Sequence, residues 1–338
     1  MNALARKEPT TSRPSNPSLF NSKPGGFIHL RFFYATIFDP LRIFFIPNRR
    51  NTMIKKIAFV FIVLALALSA CTIDGHTISI NSEHINGSGT IVTEDRSVSG
   101  FDKVDLQSIG NLTIIEGDKE SLTIKADDNL MEYITTDVFN NTLEIGMEPN
   151  INIDPSDDIE YTLTVKSLSS IVLSGFGNIN AAELNAEDME IKLSGSGNMT
   201  LGNLKTENAL LRVSGFGNIN VDNMVVDQPT LEISGSGDID VSKLQAVTMN
   251  LKISGFGNAD ITGSAKDQAI QIVGSGNYHG QDLESDSASV KITGFGDATV
   301  WAKSTLDVTI TGSGNLEYYG SPKVTQTMTG FGKVNSLG

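Results

Sequence analysis

One phrase recurs nine times in the second half of the chain and constrains the fold more than any other feature. It reads Ser-Gly-Phe-Gly-Asn-Ile at 174–179, Ser-Gly-Ser-Gly-Asn-Met at 194–199 and Ser-Gly-Phe-Gly-Asn-Ile again at 214–219. Its first glycines are Gly175, Gly195, Gly215, Gly235, Gly255, Gly274, Gly294, Gly312 and Gly330, so the period is 18 to 20 residues. A fixed period of this length is the mark of a solenoid, in which no repeat can bury its apolar face alone. A second rhythm lies inside the first. The residue between the glycines alternates strictly: Phe176, Ser196, Phe216, Ser236, Phe256, Ser275, Phe295, Ser313, Phe331.

Aligned on that phrase, the apolar residues fall into three pairs per repeat. One coil gives Ile219/Val221, Met224/Val226 and Leu231/Ile233; the next gives Ile239/Val241, Leu244/Ala246 and Leu251/Ile253. Each pair is spaced by two, the period of a strand with one face inward, and no 3.6-residue periodicity runs through the region. Three short strands per coil predict an all-β chain folded as a single-stranded parallel β-helix. Right-handed crossover is the default for parallel strands. A blade-type propeller is the alternative architecture, but its repeats are about twice as long. The column Asn178, Asn198, Asn218, Asp238, Asn258, Asn277, Asp297, Asn315 reads as a structural amide ladder, and Lys333 at the last rung as a charge that discourages strand addition.

The chain ahead of the repeats divides differently. Residues 1–52 are basic and irregular and read as an over-extended gene start. From Met53, two lysines, the apolar run Ile57–Leu68 and Ser69-Ala70 before Cys71 have the parts of a secretory signal peptide over 53–70. Leu68-Ser69-Ala70-Cys71 resembles the bacterial lipobox, which implies lipidation of Cys71, attachment to a membrane there, and an outward-facing place in the envelope, at the outer membrane or cell surface. A polar tether is expected over 71–85 and the β-helix domain over 86–338. Gly87-Ser88-Gly89-Thr90-Ile91 and Ser108-Ile109-Gly110-Asn111-Leu112 look like worn copies of the phrase. An irregular segment at about 126–160 is expected to cover the end of the solenoid, with one or two helical turns over Asp128–Ile134 and a turn at Asn140-Asn141.

Charge and chemistry narrow the function. Residues 71–338 hold 15 basic and 37 acidic residues, a surface that repels phosphate backbones and argues against nucleic acid. The single cysteine excludes a disulfide framework. After Cys71 the histidines are His76, His84 and His279 and the arginines Arg96 and Arg212, spread over distant segments. Pairs such as Asp222/Asp240 or Glu232/Lys252 arise freely on solvated strand faces. The acidic group Asp154, Asp157, Asp158 and Glu160 matches no calcium-loop spacing and reads as a solvated loop. No phosphate loop, zinc spacing or nucleophile elbow is present, so neither a catalytic site, a metal nor a cofactor is expected.

The segments Val98-Ser99-Gly100-Phe101-Asp102-Lys103-Val104, Ile114-Ile115-Glu116-Gly117-Asp118 and Asp127-Asp128-Asn129-Leu130, together with the lipobox and the Gly-x-Gly-Asn/Asp array, resemble the bacterial auto-transporter adhesin "head GIN" domain family over about 86–338. The resemblance implies a right-handed β-helical, surface-facing protein and brings no functional residues with it. The function expected is that of a non-catalytic, lipid-anchored envelope protein presenting a repetitive surface, for adhesion or for binding a glycan or surface protein. A polysaccharide-active enzyme and a purely structural spacer are the alternatives. Aromatic character would bury the phenylalanine column, whereas counting by twos from the inward Leu193 turns Ser196 and its column outward. Following parity, Phe176, Phe216, Phe256, Phe295 and Phe331 would form a ridge with rings about 9.6 Å apart, two coils each, suited to stacking on an extended glycan.

Overall fold

The computed structural model describes residues 83–338. The expected signal peptide over 53–70, Cys71, residues 1–52 and most of the expected tether lie outside the described residues. Glu83–Asn86 (β1), at the end of the span expected to be tether, is a strand paired in parallel with Ile151–Asp154.

The chain is a parallel β-helix of about eight turns. Before the repeats, β1 is followed by β2 (Ile91–Arg96), β3 (Lys103–Leu106), β4 (Asn111–Glu116), β5 (Ser121–Asp127), β6 (Ile134–Phe139), β7 (Thr142–Met147), β8 (Ile151–Asp154) and β9 (Glu160–Val165). The clean coils follow as β10 (Ser170–Leu173), β11 (Asn178–Asn185), β12 (Asp188–Leu193), β13 (Met199–Val213), β14 (Ile219–Ile233), β15 (Ile239–Ile253), β16 (Ala259–Ile272), β17 (Tyr278–Ile292) and β18 (Ala298–Ile310). Partners are equivalent residues of successive repeats, as in Ile219↔Ile239, Met224↔Leu244 and Leu231↔Leu251. The three apolar pairs of each coil point inward; Ile219, Val221, Met224, Val226, Leu231 and Ile233 are all buried. One detail differs from the expectation of three separate strands. The backbone bends at two corners without leaving the strand, so a coil such as β14 is one continuous folded strand closed by the glycine phrase. Ladder register slips at four places, between Val241/Leu244, Asp260/Gly263, Gly280/Glu284 and Ser285/Ser287. Tyr278 fills the widened interior there, donating its hydroxyl to Gln268 Oε1 at 3.0 Å, while Gln268 donates to Ser285 Oγ at 2.8 Å.

The N-terminal end departs from sequence order. β3 lies between β7 and β10, and β4 lies between β9 and β11, all in parallel. The coil made by 103–116 is therefore sandwiched between an outer coil made by β7 and β9 and the first clean repeat. The connection from Val165 to Ser170 passes this inserted coil with Leu168 buried against it. Antiparallel strands then close the end: β6 on β7, and β5 followed by β2 on β9. Cap strands that run against the coil direction satisfy one edge and leave no parallel template behind. The turn at Asn140-Asn141 joins β6 to β7 with φ of 48° and 63°, the left-handed geometry asparagine tolerates. The helical expectation reduces to a single 3-10 turn at Met131–Tyr133. Ser108-Ile109-Gly110-Asn111 is a true copy of the phrase, whereas Gly87–Ile91 is not: it leads from β1 into the antiparallel cap.

Asp127 holds that cap together. It is fully buried and accepts from Gly89 N at 2.8 Å and from Ser156 N and Oγ at 2.9 and 2.5 Å. Burial opposes its charge, but the donors from Ser156 and Gly89 outweigh burial and hold its pKa below the usual aspartate value. Arg96 reaches across from β2 to the carbonyls of Ile134 and Met131, at 2.8 and 2.9 Å.

Candidate interaction ridge

The glycine phrase is a bend that keeps the two-residue alternation of the strands around it. In the coil at 214–219, Gly215, Gly217 and Ile219 are buried while Ser214 and Phe216 are exposed. Only glycine fits the inward positions. A Cβ on Gly217 would lie 1.5 Å from the carbonyl oxygen of Gly197, and one on Gly237 would lie 1.8 Å from that of Gly217. The same close approach repeats from Gly175 to Gly332, so two columns of bare backbone stack along the solenoid and force the intervening side chain outward.

Backbone hydrogen bonds keep that outward column straight. Phe216 N donates to Gly195 O at 3.1 Å, Ser236 N to Gly215 O at 3.1 Å, and Phe256 N to Gly235 O at 2.9 Å; the series runs from Phe176 to Phe331. Beside it climbs the asparagine ladder. Asn198 N donates to Asn178 Oδ1 at 3.0 Å, Asn218 N to Asn198 Oδ1 at 3.0 Å, and so on to Lys333 N and Asn315 Oδ1 at 3.1 Å. The ladder needs only an acceptor oxygen to satisfy the next coil's N–H, which explains why Asp238 and Asp297 interchange with asparagine. Nothing above Lys333 asks for an acceptor among the described residues.

The five phenylalanines are therefore on the outside. Phe176, Phe216, Phe256 and Phe295 are 74–79% exposed and Phe331 92%. They are the most open large apolar side chains among the described residues; Phe139 in the cap follows at 65%. Ser236, Ser275 and Ser313 sit exposed between them. On one side of the ridge run Lys192, Arg212, Glu232, Lys252 and Lys291, with Arg212 and Glu232 ion-paired at 2.7 Å. On the other run Asp240, Asp260 and His279, with His279 Nδ1 2.8 Å from Asp260 Oδ1. Burial first, and then the Asp260 carboxylate, hold the Asp240 pKa above the ordinary value.

Elsewhere the candidate residues are engaged separately. Asp158 accepts from Asn111 Nδ2 and Glu160 from Lys125 Nζ, while Asp157 accepts from the backbone of Asp158. Among the described residues no three metal-ligating side chains converge. Asp222 and Asp240 lie on neighbouring coils but not in register, since Asp240 faces Asn220 and Asp260. Glu232 and Lys252 are register partners. The worn copy at Ser108–Leu112 was legible in the sequence; what sequence reasoning missed is that it stacks directly next to the first clean repeat, so that Ile109 precedes Phe176 in the ridge position. Its signal was Gln107-Ser108-Ile109-Gly110-Asn111, displaced from the repeat array by 67 residues instead of 20.

Residues 100–262 and 211–322 match the family described as "Putative auto-transporter adhesin, head GIN domain". No curated protein matches the chain. Among solved structures, a "putative adhesin" from Parabacteroides merdae ATCC 43184 aligns with a TM-score of 0.59 at 23% identity, over 76% of this chain and 100% of that one. A "putative adhesin" from Parabacteroides distasonis ATCC 8503 gives 0.58 at 24%, over 75% and 100%. A "putative lipid binding protein" from the same organism gives 0.55 at 21%, over 76% and 100%. At these identities the likeness speaks for the fold.

Proposed function

Because this chain belongs to the auto-transporter adhesin, head GIN domain family, we propose that it is a non-catalytic adhesive protein of the cell envelope, held by a lipid on Cys71, whose contact surface is the phenylalanine ridge. The single observation that carries this reading is the exposure of the five rings, 74% or more, in one column of stacked bends. Leaving that much aromatic surface in water lowers solubility and gives the fold nothing, so its use is in contact with something else. The ridge is built on a rigid ladder, so its rings are positioned before contact and little ordering entropy opposes binding.

The test uses cells displaying the full chain at matched density. Phe216→Ser and Phe256→Ser together should strongly reduce retention of the cells on an adhesive surface while leaving the far-ultraviolet spectrum of the purified protein unchanged. Retention equal to wild type would refute the assignment of the ridge.

A further inference from the structure

The ridge does not present a ring on every coil. Phenylalanine and serine alternate without exception from Phe176 to Phe331, through coils of 18, 19 and 20 residues and through changes at the positions just outside the two invariant glycines. A surface that gained only from apolar area would gain more from phenylalanine throughout. Alternation makes a row of knobs and notches, with rings about 9.6 Å apart and a serine-floored gap between each pair.

The shape that fits such a row is the same row. A ring entering a serine notch sits about 4.8 Å from the ring on either side, inside the ~4.5–7 Å range of favourable aromatic pairs. We propose, resting on the adhesive reading above, that the partner of the ridge is the ridge of a second copy of this chain, interlocked knob into notch. Symmetry selects the direction. Two copies related by a two-fold axis parallel to the solenoid bring equal heights together, so phenylalanine meets phenylalanine and the rows clash. A two-fold axis perpendicular to the solenoid runs the copies antiparallel and permits registers in which four of the five rings face a serine, in a closed isologous interface.

Two such registers place four rings of each copy into notches. One sets Phe256 against the partner's Ser275 and Ser236 against the partner's Phe295. It also places Glu232 opposite the partner's Lys291 and Asp260 opposite the partner's His279. The other would oppose Glu232 to the partner's Lys252, but also Lys192 to the partner's Lys291 and Asp240 to the partner's Asp260, two repulsive pairs against one attractive, so the first is assigned. It does oppose Asp238 to Asp297, but each already accepts an asparagine amide within its own chain. The area is adequate. Rings of ~150–250 Å² that are three-quarters exposed give on the order of 600 Å² per copy from four of them, and the flanking polar strips bring it near the ~800 Å² per partner of a standard interface. An antiparallel pair also sets the two N-terminal caps at opposite ends, the arrangement that joins two surfaces each carrying the chain by its N-terminus.

Residues 78–338 form a compact unit of their own, and the core from Val98 to Leu316 lies wholly within it, so this fragment serves for the test. Sedimentation equilibrium at ~0.15 M salt, where long-range repulsion between the acidic surfaces is screened, should show a monomer–dimer equilibrium between about 1 and 100 µM. The decisive variants are Ser236→Phe and Ser275→Phe. Each adds exposed aromatic surface, at a position where neighbouring coils already carry phenylalanine without disturbing the fold. Filled notches should weaken the dimer by about a hundredfold or more, and Phe256→Ser should weaken it as well. A fragment that stays monomeric at the highest concentration would overturn the interlocking pair, as would notch-filling variants that associate as well as wild type or better. Retention of displaying cells on surfaces that carry none of this protein, lost on Phe216→Ser/Phe256→Ser but kept in the notch-filled variants, would also overturn it. That last result would leave the ridge itself as the adhesive surface.

Discussion

Replacing Gly217 by alanine isolates the constraint on which the ridge depends. In most proteins Gly→Ala at a permitted backbone conformation stabilises by ~0.4–1 kcal/mol, because the unfolded chain loses freedom. Gly217 does not have a left-handed φ, so alanine's own backbone is acceptable there. Its Cβ, however, would stand 1.5 Å from Gly197 O, 2.5 Å from Gly197 C and 2.8 Å from Gly197 N, all of them backbone. Relieving the first contact to even 3.0 Å requires the two coils to separate by about 1.5 Å at the bend. Phe216 N→Gly195 O at 3.1 Å and Asn218 N→Asn198 Oδ1 at 3.0 Å cannot survive that opening. Two lost hydrogen bonds at ~1 kcal/mol each, with at least one inward group left unsatisfied at ~1–3 kcal/mol, give a destabilisation of about 3–5 kcal/mol. Urea denaturation of residues 78–338 measures it. With a slope of ~1–3 kcal/mol/M the midpoint should fall by about 1 M or more, against a shift near zero for Ser236→Ala in the next coil. A Gly217→Ala midpoint equal to wild type or higher would refute the stacked-backbone account of the bend.

Three further outcomes follow from other parts of the molecule. Asp127→Ala strips an acceptor from Gly89 N, Ser156 N and Ser156 Oγ and should cost about 3–5 kcal/mol in urea; because the Asp127 pKa is lowered, its contribution is present above the unfolded value near 4 and should fade as acid titration passes through the folded one. Burial pushes the Tyr161 pKa up to about 12, so the unfolded chain ionises first: stability should be undiminished below pH 10 and drop by roughly 2–3 kcal/mol between pH 10 and 12, less in Tyr161→Phe. In the ladder, Asn198→Asp keeps the acceptor for Asn218 N at 3.0 Å and should be nearly neutral, whereas Asn198→Leu removes it and should lower stability by about 1–2 kcal/mol.

The repeats were legible because every coil meets the same physical demands. Inward pairs such as Ile219/Val221 and Leu231/Ile233 recur at a spacing of two, and the bend admits glycine at two fixed places, so the sequence must repeat wherever the structure does. Parity carried even the orientation of Phe216, since the bend preserves alternation. The cap followed no repeated demand. Ser108–Asn111 is a single worn copy, and its stacking on Gly175–Asn178 depends on an excursion through residues 117–165 that carries its own outer coil. Pairings such as β5 with β9 and β6 with β7 are antiparallel and occur once, so no periodicity announces them. Gly87–Ile91 misled for a related reason: glycines and a β-branched pair suit the entry to an antiparallel cap strand as well as a coil. The contact role of the ridge is a different matter, because a pattern of side chains shows shape and spacing before it shows an occupant.

Hydroxyl-radical footprinting of the full chain, before and after displaying cells settle on their adhesive surface, tests the ridge most directly. The account predicts that Phe216, Phe256 and Phe295 are labelled readily in the dispersed protein, as their exposure of 74–79% requires, and become protected on adhesion while Phe139, exposed in the cap, does not. Rings that stay equally labelled in adherent cells, with protection appearing on another face of the solenoid, would contradict it.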